Sequence, residues 1–164
     1  MRFATEQHFP AAMEVVLGLF TDPDFYPTLS GLPKIGTPEV VEHRVDGPRV
    51  RLRLHQRFTG DLPGAALAVI DPARLTWIEL LEFDLDRATA TSRLLPDHYP
   101  DRLTCAGRYT FVATGSETST RRLEGDLAVR MPLVGGKVER ALVSGLREHA
   151  AAEQHLVARR LTES

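Results

Sequence analysis

Hydrophobic and polar positions alternate most regularly in VRLRLHQRF, with Val50, Leu52, Leu54, Gln56 and Phe58 on one side and Arg51, Arg53, His55 and Arg57, together with the preceding Arg49, on the other. A period of two is that of a strand with one face on a core and the other in water. The preceding VVEHRV has the same period, and Gly47-Pro48 lies between the two runs, so the pair reads as a hairpin. Further strands are predicted at Leu75–Phe83, Ala88–Leu95, Arg102–Ala113 and Thr118–Met131, with turn signals at Asp71-Pro72, PDHYPD and Gly115-Ser116.

Towards the termini the period changes. Arg2–Phe9 is compatible with a first strand, and Pro10 then suits the first turn of a short helix, PAAMEVVLGLF, which Asp22-Pro23 stops. DFYPTLSGLP continues as a second helical piece broken by Pro27 and Gly31. After the last strand Pro132 and Gly135-Gly136 interrupt the chain, and a helical pattern then runs nearly to the C-terminus. Strand and helix do not alternate as a parallel sheet requires, so the class is α+β with an antiparallel sheet. A long helix laid across a curved sheet cannot fill the space beneath it, and Gly107, Gly125, Gly145 and Ala152 at inward positions add room. A cavity of about 300 Å³ or more is therefore expected.

Composition narrows the picture. A chain of 164 residues, 43% hydrophobic, is long enough for one good core and too short for two, so a single domain over 1–164 is expected. A formal charge of −2 and a pI near 6.3 do not call for nucleic acid or an anionic membrane as partner. Glu6, His8 and Glu14 rule out a signal peptide or spanning helix at the N-terminus, which points to the cytoplasm. Cys105 is alone, so no internal disulfide or structural zinc site is expected, and it reads as a small buried hydrophobe. The histidines at 8, 43, 55, 98, 149 and 155 show no HxH or HExxH spacing; neither a metal nor a cofactor is implied. Arg49, Arg51, Arg53 and Arg57 lack interleaved aromatics, and Glu39, Glu42, Glu79 and Glu82 on neighbouring strands suit cross-strand ion pairs better than a nucleic-acid face.

The stretch GDLAVRMPLVGGKVERALVSGL, joining last strand to last helix, resembles the helix-grip superfamily of START-type lipid-transfer domains, birch-pollen-allergen-like proteins and polyketide cyclases. Its PLVGGKVE segment looks like that of a bacterial branch described as a domain of unknown function. The resemblance implies about seven antiparallel strands, two short helices after the first strand, and a long C-terminal helix gripped around an apolar pocket. It implies no particular reaction.

Candidate site residues follow from the stripes. On the terminal helix Val138, Leu142, Leu146 and Leu156 share one side, and His149 and Glu153, four apart, fall between them. The pair either projects into the pocket, where a shielded carboxylate has a raised pKa, or lies at the sheet margin bonded to strand groups. Arg160, on the same stripe, is expected to reach solvent. Gln56 interrupts an apolar row. In Leu75–Phe83 the alternation permits either parity; the cost of exposing Trp77 favours the odd set, which makes Glu79 a buried carboxylate. Tyr109 and Phe111, in register with Cys105 and Gly107, are further lining candidates.

These residues suggest a cytoplasmic carrier or sensor that holds a small hydrophobic molecule, such as a lipid, polyketide, isoprenoid or aromatic metabolite. Leu54, Gln56, Phe58, Trp77, Tyr109, Leu127, Leu142, Leu146, His149 and Glu153 would line the pocket. The alternative is a cyclase- or dehydratase-type enzyme with His149 and Glu153 as acid and base on a polyketide-like substrate; a third reading is an interaction protein with a collapsed interior. GDLPGAALAVIDPARL and DFYPTLSGLP are expected to cover the pocket mouth. If the pair faces the pocket, Glu153→Gln and His149→Leu are expected to preserve or raise stability, because a desolvated pair is removed, while ligand affinity falls; if it lies at the sheet margin, affinity should be untouched and stability should shift by no more than about 0.5 kcal/mol.

Overall fold

A computed structural model describes residues 1–163 of the chain. Seven strands, β1 (Arg2–Phe9), β2 (Glu39–Asp46), β3 (Arg49–Arg57), β4 (Thr76–Asp84), β5 (Thr89–Pro96), β6 (Leu103–Ala113) and β7 (Ser119–Val129), form one antiparallel sheet in the order β1-β7-β6-β5-β4-β3-β2. Strands β2 to β7 are a meander, and β1 pairs with β7, Phe3 opposite Gly125. The chain must therefore cross from one sheet edge to the other between β1 and β2. It does so through α1 (Met13–Thr21) and a one-turn 3₁₀ helix at Tyr26–Thr28. The long α2 (Gly135–Glu163) lies along β1 and β7.

The first helix begins later than the sequence pattern suggests. Ala12, with ψ at 150°, is extended, and its carbonyl accepts the first helical bonds from Val15 and Val16 at 3.0 and 3.1 Å. Pro10 thus precedes the helix instead of opening it. At the other end Asp22 is extended, as a residue before proline prefers. Of DFYPTLSGLP only Tyr26–Thr28 is helical; Gly31, at φ 75°, then turns the chain into an irregular segment held to Phe58 by a bridge at Ile35.

Apolar residues gather in two groups under α2. One, near α1, contains Phe9, Phe20, Phe25, Tyr26, Phe83 and Phe111, with the Phe20 and Phe25 rings edge to face at 5.1 Å. The other contains Phe58, Trp77, Leu103, Leu127, Val138 and Leu142. Here α2 comes so close to the sheet that a Cβ on Gly145 would stand 2.7 Å from the Phe58 ring.

Strand β4 presents its odd set to the core: Trp77, Glu79, Leu81 and Phe83 are all buried there. Glu79 consequently takes no part in the ion pairs of the outer face. Those run Arg49–Asp84, Arg51–Glu82 and Arg53–Glu42, at 3.6, 3.4 and 2.8 Å. The Gly60–Leu75 connection packs Ala66, Ile70 and Leu75 with Phe58 and Trp77 in the second group, and none of its residues lines the space beneath α2. Arg160 does not simply extend to solvent; its Nη2 donates to the Thr28 carbonyl at 2.7 Å and ties the end of α2 to the 3₁₀ turn. Among the described residues no helix is long and apolar enough to cross a membrane.

Candidate functional site

Between the sheet and α2, where the two apolar groups meet, lies a cavity of about 100 Å³. It is smaller than the sequence suggests because polar and aromatic side chains fill its α1 end. The Arg121 guanidinium lies 3.7 Å above the Phe20 ring and 4.6 Å from that of Tyr109, and the Tyr26 hydroxyl reaches in to donate to the Phe20 carbonyl.

Leu54, Gln56, Trp77 and Tyr109 line this cavity from the sheet, and Leu146, His149 and Glu153 line it from α2. Phe58, Leu127 and Leu142 do not reach it. They surround a neighbouring void of about 10 Å³, with Phe58 turned under Gly145 by the close helix–sheet approach.

On the helix side Glu153 is almost fully buried and satisfied by strand groups. Its Oε1 accepts from Arg121 Nη2 and from Gln7 Nε2, both at 3.0 Å. Gln7 Nε2 also donates to the Ala150 carbonyl at 2.7 Å, fixing α2 against β1. His149 Nε2 lies 3.8 Å from Glu153 Oε2, while its Nδ1 is 3.2 Å from the Pro33 carbonyl and holds the irregular segment before β2. Glu153 and His149 thus face the cavity and are also bonded to surrounding groups, so the two sequence alternatives coexist. Gln56 is not their partner: its Oε1 accepts from Trp77 Nε1 at 2.9 Å.

On the sheet side Glu79 is buried, and its Oε1 accepts from Ser92 Oγ at 2.8 Å and from the Tyr109 hydroxyl at 3.4 Å. Burial pushes its pKa above the ordinary carboxylate range, against the Ser92 hydrogen bond and the Arg121 charge, while the Glu153 charge adds to the rise. Burial also raises Tyr109 well above the usual phenol and pushes the half-buried Cys105 thiol up to about 12. Cys105 lines the cavity as a neutral thiol. The centre can therefore hold an apolar body and offer it a few fixed polar groups.

Sequence reasoning missed Arg121, Gln7, Ser92 and Tyr26. For Arg121 and Gln7 a signal was present: counting back by twos from Val129, Leu127 and Leu123 puts Arg121 inward, and counting between Phe3 and Phe9 does the same for Gln7. Tyr26 belongs to no periodic element.

A family model described as a protein of unknown function (DUF2505) matches residues 4–161. No curated protein matches the chain. Solved structures do. The Zhui aromatase/cyclase from Streptomyces sp. R1128 is 16% identical, with 98% of this chain and 92% of that one covered and a TM-score of 0.67. A START superfamily protein from Mycobacterium smegmatis is 15% identical, with 96% and 97% covered and a TM-score of 0.60. Norcoclaurine synthase from Thalictrum flavum is 18% identical, with 96% and 86% covered and a TM-score of 0.59. This likeness establishes the helix-grip architecture.

Proposed function

We propose, for a chain that belongs to the DUF2505 family and carries the helix-grip fold, that it is one ligand-binding domain holding a small hydrophobic molecule in the cavity beneath α2, as a cytoplasmic carrier or sensor. The observation that carries this reading is the cavity: about 100 Å³, walled by Leu54, Trp77, Leu81, Tyr109 and Leu146, with polar groups at two fixed points. An engineered apolar cavity of about 150 Å³ binds benzene, so at about 100 Å³ a single ring or an isoprene-sized unit is the largest scale of what enters, with the walls giving way slightly. Solved relatives bearing the names START protein and aromatase/cyclase support the ligand classes lipid, polyketide and aromatic metabolite. Mass spectrometry of protein purified without denaturation tests the reading. An apolar small molecule retained at one equivalent is expected; protein repeatedly recovered bare after exposure to a lipid and metabolite extract would count against it.

A second reading is catalytic, on the lines of a cyclase or dehydratase. His149 and Glu153 lining the same cavity beside Arg121 favour it. It requires that conversion of a polyketide-like substrate be lost in both His149→Gln and Glu153→Gln, with binding retained.

A further inference from the structure

Glu79 occupies a β4 position whose neighbours in the same row are Trp77, Leu81 and Phe83, all buried. An ionised carboxylate there needs a countercharge. The cation of the cavity, Arg121, directs its Nη2 to Glu153 instead, and the groups bonded to Glu79 are all neutral: the hydroxyls of Ser92 and Tyr109, both at Oε1, and the Gln56 side-chain amide. We propose that Glu79 is the polar anchor of the cavity, a carboxylic acid oriented by Ser92 and Tyr109 that donates its proton to an acceptor oxygen or nitrogen on a neutral ligand. This rests on the binding reading and adds the ligand's chemistry: an apolar body bearing one carbonyl-like acceptor.

The groups facing Glu79 agree with a neutral site. Arg121 on β7 and Glu153 on α2 offset one another at 3.0 Å. Tyr109 and Cys105 on β6, Tyr26 on the 3₁₀ turn, and Gln56 on β3 bring no charge, burial holding the three titratable groups in their protonated forms. His149 on α2 is turned to Pro33 and Glu153. The same burial favours the protonated form of Glu79. An anionic ligand would meet two carboxyl groups and one cation already engaged. A purely apolar ligand would leave the acid proton without an acceptor, which is costly in a dry cavity.

Two isosteric probes separate the cases: acetophenone, and α-methylstyrene, in which the carbonyl is replaced by a methylidene group. Calorimetric titration at mildly acidic pH should show acetophenone binding about tenfold more tightly, the worth of one buried hydrogen bond. Because the acceptor engages the protonated acid, that preference should hold below the Glu79 pKa and fall as pH rises through it. Glu79→Gln, which keeps shape and a donor but does not titrate, should retain the preference and lose its pH dependence; Glu79→Leu should abolish the preference. Equal affinity of wild type for both probes, or a preference that survives Glu79→Leu, overturns the role of Glu79 while leaving the binding reading intact. Saturable binding of neither probe overturns both. Should Glu79→Leu fail to fold, the wild-type pH profile and Glu79→Gln still decide the matter.

Discussion

Arg121 Nη2 donates to Glu153 Oε1 at 3.0 Å, and the two side chains are only 11% and 8% exposed. This pair joins β7 to α2 across the cavity and reverses the expectation that neutralising Glu153 preserves stability. Glu153→Gln removes one partner and leaves the guanidinium buried between Phe20 and Tyr109 without its countercharge. A loss of about 3 kcal/mol is expected in urea unfolding, and the double variant Arg121→Met, Glu153→Leu should recover most of it. A double variant no better than the single one would show that the rings, not the charge, set the cost.

Glu79 gives stability a definite pH dependence. Its folded pKa lies above the ordinary carboxylate range, chiefly through burial. The native state therefore binds its proton more tightly than the unfolded chain does, and this contribution is fully present below the ordinary range and lost as pH rises through the folded pKa. Asp97 acts with the opposite sign: burial, the largest single influence, raises its pKa, but hydrogen bonds from Thr76 and His55 and the charges of His55 and His98 together outweigh it and lower the pKa, so its contribution is lost as pH falls. The difference between wild type and Glu79→Gln isolates the first effect. Wild type should lose stability relative to the variant with rising pH, measured by thermal melts across the range.

Gly145→Ala tests the close approach of α2. Alanine favours a helix over glycine by about 1 kcal/mol. Here its Cβ would meet the Phe58 ring at 2.7 Å and Lys34 Cβ at 3.3 Å, so a net destabilisation of about 1–3 kcal/mol is expected from chemical denaturation. A stabilised variant would mean that Phe58 swings aside freely, towards the neighbouring void.

His149→Leu probes access to the cavity. The wild-type ring holds the Pro33 carbonyl, next to the segment where Gly36 donates to Arg57 and Thr59 to Lys34. Losing that tie should speed amide exchange at Gly36 and Thr59 about fivefold, the equivalent of about 1 kcal/mol of local stability, without altering the centre of β6. Unchanged exchange would show that the His149–Pro33 contact does not hold this segment.

Sheet, helix order and much of the cavity wall were legible because the two periods are strong. Alternation in β3 was enough to orient Leu54 and Gln56; in β4 it permitted either parity, and the cost of exposing Trp77 only favoured the odd set that the structure turns inward. The helical stripe put Leu146, His149 and Glu153 on one side of α2 but left open whether the last two enter the pocket or lie at the sheet margin. Distances between elements were not legible: the approach of α2 to Phe58 at Gly145 decides that Phe58, Leu127 and Leu142 fall outside the cavity. Nor was the partner of Glu153, since an arginine at a strand position reads as solvated until parity is counted from the far end of β7. The 3₁₀ turn that delivers Tyr26 has no period at all, and with it went the true size of the cavity.

The central claim is that the space beneath α2 is a binding site for a small apolar molecule. Methyl-resolved NMR during a benzene titration tests it most directly, with Leu54, Leu81 and Leu146 as reporters inside and the exposed Leu133 and Val45 as reporters outside. Saturable shifts at the three inner residues, with benzene cross-relaxation to the rings of Trp77 and Tyr109, are the predicted result. Shifts that never saturate, or that appear only at Leu133 and Val45, would contradict it.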